Sequence, residues 1–224
     1  MMIFLIITIF DNINDDYMDD NRLIGVITGD LINSRKTDVK IWLPLLEDAL
    51  DWNTHKYDIY RGDSFQAEID LEHIFHVLFY IKARLKTIKN MDVRMSIGVG
   101  HLTFSDKHVK TSSGEAYINA GESFDLLKKE TLTIKTPWQE MNEILDLLLQ
   151  LSAEIADRWT ENMAESVAMA LRYPDKSQVE LAQLLNRKYQ SQVSTELNKA
   201  GYFKIQRVID YCKLQILERC SIRS

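Results

Sequence analysis

Two aspartates, each directly after a glycine, are the residues of this sequence best suited to chemistry at a phosphate. Asp30 follows Gly29 at the end of an apolar run, and Asp63 follows Gly62 inside the segment Arg61–Ser64. Magnesium prefers oxygen ligands and commonly takes one or two carboxylates together with substrate phosphates. If both aspartates lie at one end of a sheet, they could hold Mg²⁺ and polarise a triphosphate. We therefore predict a metal site formed by Asp30 and Asp63.

Three further polar residues are candidates for binding a nucleotide beside these carboxylates, namely Arg61, Ser64 and Asn119. Structural roles are open to the same side chains. Aspartate and asparagine favour turns and helix starts, so each could simply shape its loop. Arg61 could also pair with either carboxylate and replace the metal.

The segments that must position these residues alternate between strand-like and helix-like patterns. Strand patterns cover residues 23–28, 57–60, 65–69 and 93–99, and helical patterns cover residues 39–52, 73–85 and 115–127. Residues 61–64 form a tight turn between two of the strands. This order predicts an α+β fold over residues 22–132. We expect the helices of this part to lie on one face of a mostly antiparallel sheet.

Residues 137–224 have no strand pattern and predict an all-α domain. Thr136, Pro137 and Gln139 provide helix-start signals: a cap, a proline at the first helical position and a glutamine three residues after the cap. Pro174 is expected to close a second helix, and Gly201 to end a later one. The boundary between the two domains is therefore predicted within residues 133–136.

Within this helical part, the sequence from Ser177 resembles a helix-turn-helix. Ser177 and Glu180 have capping-box spacing at the start of a first helix. Asn186 suits the left-handed backbone of a turn. A second helix would then bury Val193 and Leu197.

The second helix, about Gln190–Ala200, would enter the major groove, where short polar side chains read base edges. The predicted DNA-binding residues are Arg187, Lys188, Gln190, Ser191, Gln192, Ser194, Thr195, Asn198 and Lys199, with Lys204 and Arg207 as further phosphate contacts. The spacing from Asn186 to Val193 is one residue longer than is usual for this motif. A helical dimerisation or packing module is therefore the alternative.

Charge is divided unevenly along the chain. Its 224 residues include 27 Lys and Arg against 33 Asp and Glu, a net charge of -6. Residues 172–224 alone have a net charge of +5, whereas the remaining residues have -11. A basic quarter on an acidic body indicates two modules with different partners. The acidic body also opposes broad nonspecific DNA binding, because long-range repulsion hinders approach.

Composition excludes several classes of protein. The chain is 46% apolar and 27% charged, values that are typical of a globular protein rather than of a disordered or collagen-like one. The only two cysteines, Cys212 and Cys220, are predicted to be free thiols in a reducing cytosol.

The first residues are predicted to lie outside the folded chain. Residues 1–10 are apolar, but they are too short to span a bilayer, which takes roughly 20 residues. No Lys or Arg precedes Arg22, so the basic start of a signal peptide is missing. We expect the working chain to begin near Met18 and residues 1–21 to be an extension or a disordered tail. An extra edge strand is an alternative, and a membrane anchor is the least favoured one.

Several segments of the first domain resemble class III nucleotide cyclases. They are Gly29–Ser34 after the first strand, Arg61–Phe65 in the hairpin, which also resembles the GGDEF hairpin, and Met95–Gly100 followed by Gly114–Ala120. The positions of the transition-state Arg and the base-reading Lys of those cyclases are Ser123 and Ile59 here. Phosphoryl transfer needs positive charge at the developing phosphate. The resemblance implies a ferredoxin-like, nucleotide-cyclase-like fold (βαββαβ) for this domain. Because the two positions lack positive charge, it also implies a pocket that senses a nucleotide rather than an enzyme.

The arrangement as a whole resembles the SatD family. The resemblance is carried by Val26–Arg35, Tyr60–Gln66 and Ser113–Ala116 together with the helix-turn-helix, and it covers roughly Arg22–Tyr211. It implies a bacterial, cytoplasmic protein and no particular catalytic residue.

Taken together, these patterns predict a cytoplasmic transcriptional regulator that binds DNA as a homodimer and senses a nucleotide or other small ligand, with Mg²⁺ as a possible cofactor. The first alternative is a divergent nucleotide cyclase or phosphotransferase that uses Asp30 and Asp63. The second is a non-catalytic partner-binding protein. No contact with a membrane is expected.

Overall fold

The computed structural model describes residues 22–221, which form a mixed α+β structure. The expectation for residues 1–21 lies outside the described residues. The strands are β1 Leu23–Ile32, β2 Lys56–Tyr60, β3 Ser64–Ile69, β4 Asp92–Phe104, β5 Ser113–Gly114 and β6 Leu132–Lys135. The α-helices are α1 Val39–Asp51, α2 Ile74–Lys86, α3 Glu115–Leu126, α4 Gln139–Ala156, α5 Glu161–Arg172, α6 Gln178–Leu184, α7 Gln190–Lys199 and α8 Tyr202–Ser221.

The sheet is built around a long antiparallel pair, β1 and β4. The strand order is β2-β3-β1-β4, and all of these neighbours are antiparallel. The register of the central pair runs from Leu23 opposite His101 to Ile32 opposite Asp92. Along the other edge of β4 lie β5, antiparallel, and β6, parallel. The predicted α+β class is confirmed.

Helices cover both faces of this sheet, whereas the sequence predicted helices on one face only. Side chains alternate between the faces of a strand. In β1, Ile24 and Val26 pack with α3 in a small cluster, whereas Ile27 and Leu31 join the main core with α1 and α2.

Two glycines explain the position of α3. A Cβ atom on Gly98 would lie 2.1 Å from the carbonyl oxygen of Ala116 and 2.2 Å from the amide nitrogen of Ala120. A Cβ atom on Gly100 would lie 2.6 Å from the amide of Ala116. Any larger residue at either of these two positions would therefore push the helix away from the sheet.

Residues 137–221 are helical, and their core is continuous with that of the sheet. A single hydrophobic cluster extends from Ile27 in β1 to Ile216 in α8. The predicted boundary, residues 133–136, coincides with the end of β6, which pairs with β4. The division into two domains stays a prediction.

A buried ionic cluster also joins the two parts. Lys82 of α2 is fully buried, and its ammonium lies 2.8 Å from Asp92 Oδ1 and 2.7 Å from Asp157 Oδ1. Lys86 pairs with the other oxygen of Asp92 at 3.0 Å. Burial alone would raise the pKa of Asp92, but the two ammonium groups hold that pKa below its ordinary value. The cluster ties the start of β4 to the end of α4.

The predicted start of α4 needs correction. The helix begins at Gln139 after Trp138, so Pro137 precedes it and Thr136 is not its cap. Thr136 instead binds a side chain of the helix. The Oδ1 atom of Asn142 accepts hydrogen bonds of 2.8 Å from both the amide and the hydroxyl of Thr136.

Cys212, one of the two cysteines, is a free thiol. Cys212 is buried, and burial raises its pKa to about 12. None of the helices between residues 22 and 221 is both long and apolar enough to cross a bilayer.

Candidate functional site

The carboxylate of Asp30 is held by an arginine within the sheet. The β1–β4 register places Arg94 opposite Asp30. The guanidinium donates two hydrogen bonds, from Nε to Oδ1 at 3.0 Å and from Nη2 to Oδ2 at 2.5 Å. These bonds raise the pKa of Arg94 above its ordinary value. Arg94 also lies over the ring of Phe124, 5.6 Å from its centroid.

Asp63 lies at the same end of the sheet but has different partners. Its Oδ2 accepts a hydrogen bond of 2.6 Å from the hydroxyl of Ser34. Its backbone carbonyl accepts one of 3.1 Å from the amide of Leu31. The hairpin is therefore fixed against β1. The two carboxylates nevertheless engage separate side chains.

This arrangement does not fit a shared magnesium ion. Both oxygens of Asp30 are occupied by Arg94, and Asp63 is bound to Ser34. Among residues 22–221, no group of three or more His, Cys, Asp and Glu side chains is arranged to hold a metal. The expectation of Mg²⁺ therefore has no geometric support at this pair.

A small cleft lies beside Asp63. It has a volume of about 330 Å³ and is lined by Ser34, Arg35, Thr37, Val39, Trp42, Arg61, Gly62 and Asp63. Arg35 and Arg61 are both exposed. In the part of the chain that the structure describes, neither makes an ion pair with a carboxylate. The cleft thus presents two guanidinium groups and one carboxylate, that of Asp63, so its lining has a net positive charge that suits an anionic ligand.

The other predicted nucleotide-binding residues have different surroundings. Ser64, at the start of β3, lies opposite Asp30 in the β1–β3 register. Asn119 is buried in α3, and its amide donates a 2.8 Å hydrogen bond to the carbonyl of Val99. Val99 is five residues along β4 from Arg94, roughly 17 Å away. Asn119 therefore anchors α3 to β4 and lies apart from the cleft.

The second candidate site is the helix pair α6 and α7, whose local structure follows the prediction closely. Ser177 and Glu180 form a capping box at the start of α6. Asn186 has a left-handed backbone with φ of 52°. Val193 and Leu197 are buried, as expected.

The opposite face of α7 is open to solvent. Ser191, Thr195 and Asn198, spaced by four and three residues, lie on one side of the helix, and all three are exposed. Lys199 is also exposed, and Ser194 is half-buried. Within residues 22–221, the side chains of these five residues make no hydrogen bond or ion pair.

The two glutamines at the start of α7 have partners. Gln190 Nε2 donates a 2.5 Å hydrogen bond to Gln178 Oε1 at the start of α6. Gln192 Oε1 accepts one of 3.1 Å from the amide of Tyr189. These residues orient the two helices and cap α7, which fixes the angle at which its exposed face is presented.

The basic residues near this face of α7 differ in how far they are exposed and free to bind phosphate. The guanidinium of Arg187 is only 19% exposed, 2.8 Å from Glu165 and 3.6 Å from Glu196. It therefore holds the turn against α5 and α7. Lys188 is exposed, with its ammonium 5.2 Å from the centroid of the Tyr189 ring. Lys204 and Arg207 are exposed on α8, which follows.

Sequence reasoning missed three of these residues. An arginine inside the apolar run of β4 was a signal for a buried partner, but only the register shows that the partner of Arg94 is Asp30. Arg35 stands directly beside the Gly29–Ser34 motif. Gln178 has no sequence signal apart from its place after a helix cap.

Comparison with known proteins does not assign the chain to a family. No protein-family model matches the sequence, and no curated protein is similar enough to match it.

Proposed function

We propose that this chain is a cytoplasmic DNA-binding transcriptional regulator, in which α6 and α7 form a helix-turn-helix and α7 enters the major groove. One observation carries the proposal: α7 exposes a row of short polar side chains without partners in the described chain, opposite its buried Val193 and Leu197. The major groove admits one α-helix and is read by side chains of this kind.

Individual contacts follow from the chemistry of the side chains. Asparagine pairs with adenine through two hydrogen bonds, and serine and threonine accept several bases. Asn198 is thus the main candidate for base discrimination, with Ser191 and Thr195 beside it. Lys188 and Lys199 flank this row and would bind phosphates, which fix the register of the protein on DNA.

The sheet supports a second part of the proposal, a ligand-sensing role. The strand order β2-β3-β1-β4 supports a ferredoxin-like, nucleotide-cyclase-like domain. Two of the segments that resemble the SatD family, Val26–Arg35 and Tyr60–Gln66, contain parts of β1, β2 and β3. The cleft of Arg35 and Arg61 favours a ligand that carries phosphate. Ligand binding would alter DNA affinity only if it favoured one conformation of the protein over another.

The catalytic alternative has less support. A divergent cyclase or phosphotransferase would need Asp30 free to bind metal, whereas both of its oxygens accept hydrogen bonds from Arg94. Ser123, at the position of the transition-state arginine, is buried and donates a 2.6 Å hydrogen bond to the carbonyl of Asn119.

The proposal is tested by selecting binding sites from random duplex DNA with the full chain. We expect one sequence to be enriched, and Thr195→Glu to weaken binding to it by at least about tenfold, because a carboxylate on α7 would face the phosphates. Thr103→Glu is the matched control, since Thr103 is an exposed threonine on β4. No enrichment, or equal loss in both variants, would contradict the proposal and favour a partner-binding protein.

A further inference from the structure

Helix α4 has a second apolar face that the core does not use. Its buried face, which includes Met141, Leu145 and Leu149, packs against the rest of the protein. Ile144, Leu147 and Leu151 lie on another side and are 43%, 48% and 55% exposed. Single exposed apolar residues are common, but a contiguous row of them marks an interaction surface.

Helix α8 lies antiparallel to α4 and completes this surface. Arg219 near the end of α8 pairs with Glu140 near the start of α4 at 2.9 Å. At the other end, a Cβ atom on Gly201 would lie 2.8 Å from Cγ2 of Ile155. Between these contacts the helices leave a groove of about 400 Å³, lined by Ile144, Leu148, Lys204, Arg207, Val208 and Tyr211. Leu214, on the outer side of α8, is 52% exposed.

Charges of opposite sign flank the two parts of this surface. Glu143 and Glu154 are exposed on the outer edge of α4, next to the ridge formed by Leu147 and Leu151. Lys204 and Arg207 border the groove on the side of α8. Within the described chain, Glu143 and both of these cations lack an ion-pair partner. An acidic apolar ridge therefore lies beside a basic apolar groove on the same face.

We propose that a second copy of this chain docks on the α4–α8 face, with a twofold axis between the copies. In a twofold interface the same patch of both copies is in contact. The ridge of each copy therefore faces the groove of the other. Leu147 and Leu151 of one copy then enter the groove of the other, and Glu143 faces Arg207 of the partner subunit. This inference deepens the proposed function, and the role of the dimer rests on that function. A dimeric helix-turn-helix protein recognises two half-sites about 34 Å apart on DNA.

Sedimentation velocity of the full chain without DNA tests this assignment. We expect a species of twice the 26.1 kDa chain mass and a weakening of dimerisation by Leu147→Glu of at least about 100-fold, because the carboxylate would be buried in an apolar groove. Leu126→Glu is the control, since Leu126 is 74% exposed on α3. A wild-type chain that stays monomeric, or a dimer that tolerates Leu147→Glu, would overturn the assignment.

A charge exchange tests the orientation of the two copies. Glu143→Arg and Arg207→Glu should each weaken the dimer about tenfold, and the double variant should recover most of this loss, because the opposite charges would face each other again. Additive losses in the double variant would exclude the proposed pairing.

DNA binding by the Leu147→Glu variant separates this inference from the proposed function. If the variant is monomeric and still binds one half-site, both proposals hold. A wild-type dimer that enriches no DNA would refute the proposed function and leave the interface intact. A wild-type monomer that binds DNA would refute the interface alone.

Discussion

Two groups of polar residues, both predicted to be functional, have opposite surroundings in this molecule. At the end of the sheet, Asp30 is bound by Arg94 and Asp63 by Ser34. On α7, the side chains of Ser191, Thr195 and Asn198 have no partner within the described chain. The first group has its interactions satisfied by the fold, whereas the second has them available for another molecule.

The difference shows why residue type alone does not identify a site. Aspartates next to glycines at the end of a sheet suit metal binding and structural pairing equally well, and the side chains of the neighbouring segments decide between the two. Short polar side chains opposite a buried helix face have fewer structural uses. Their exposure therefore carries more information about function.

The largest effect is expected where charges are paired inside the protein. Lys82→Met would leave Asp157 and one oxygen of Asp92 without their ammonium partner in a buried cluster. Breaking a buried pair costs about 3–5 kcal/mol, so the free energy of unfolding in urea should fall by this amount. Lys89→Met, at an exposed lysine on the adjacent loop, should change it by less than about 0.5 kcal/mol. An equal effect of the two variants would show that the cluster is not needed for stability.

The Asp30–Arg94 pair at the end of the sheet should contribute less to stability than the Lys82 cluster, and it should not affect DNA binding. Asp30→Asn removes charged hydrogen bonds that are partly exposed, which costs about 1–2 kcal/mol of unfolding free energy. DNA affinity should remain unchanged, and added Mg²⁺ should not raise the melting temperature of the wild-type chain. A magnesium-dependent stabilisation that Asp30→Asn abolishes would restore the metal hypothesis.

His76 offers a test by pH at the contact between α2 and α5. Its Nε2 lies 3.0 Å from the carbonyl oxygen of Leu171, and burial lowers its pKa below the ordinary value. The unfolded chain therefore takes up a proton first as the pH falls below about 6.5, so the stabilisation present above this pH is lost. We expect the free energy of unfolding, measured in urea, to fall between pH 7 and pH 5. His76→Gln should flatten this dependence, and an unchanged slope would exclude His76 as its origin.

The smallest effect concerns phosphate contacts beside α7. Lys199→Gln should weaken binding to every DNA sequence alike and reduce the slope of log affinity against log salt by about 1. Lys89→Gln, which removes the same charge far from α7 in the sequence, should leave the slope unchanged. If both variants alter the slope equally, the effect comes from net charge and not from a contact.

Local features of the fold could be predicted from the sequence, and long-range ones could not. The capping box of Ser177, the left-handed Asn186 and the buried Val193 depend on neighbours a few residues away, and all are confirmed. Arg94 meets Asp30 across 64 positions and Lys82 meets Asp157 across 75, so their pairing depends on strand register and helix packing.

The position of α3 on the sheet could not be predicted from the sequence either, because it also depends on long-range packing. Gly98 lies within the strand predicted for residues 93–99, and Gly100 directly follows it. Their use as a close contact for α3 depends on which face of the sheet the helix covers. The candidate DNA surface was predictable for a physical reason, since a helix with one apolar side exposes the opposite side whatever it packs against.

The central claim, that α7 reads bases, is tested most directly by repeating the DNA selection with Asn198→Ala. We expect the variant to fold normally, because Asn198 is exposed, and to lose the preference for one base pair in the selected site. Its affinity for the wild-type site should fall by about 5–100-fold. An enriched sequence identical to that of the wild-type chain, with unchanged affinity, would contradict the claim.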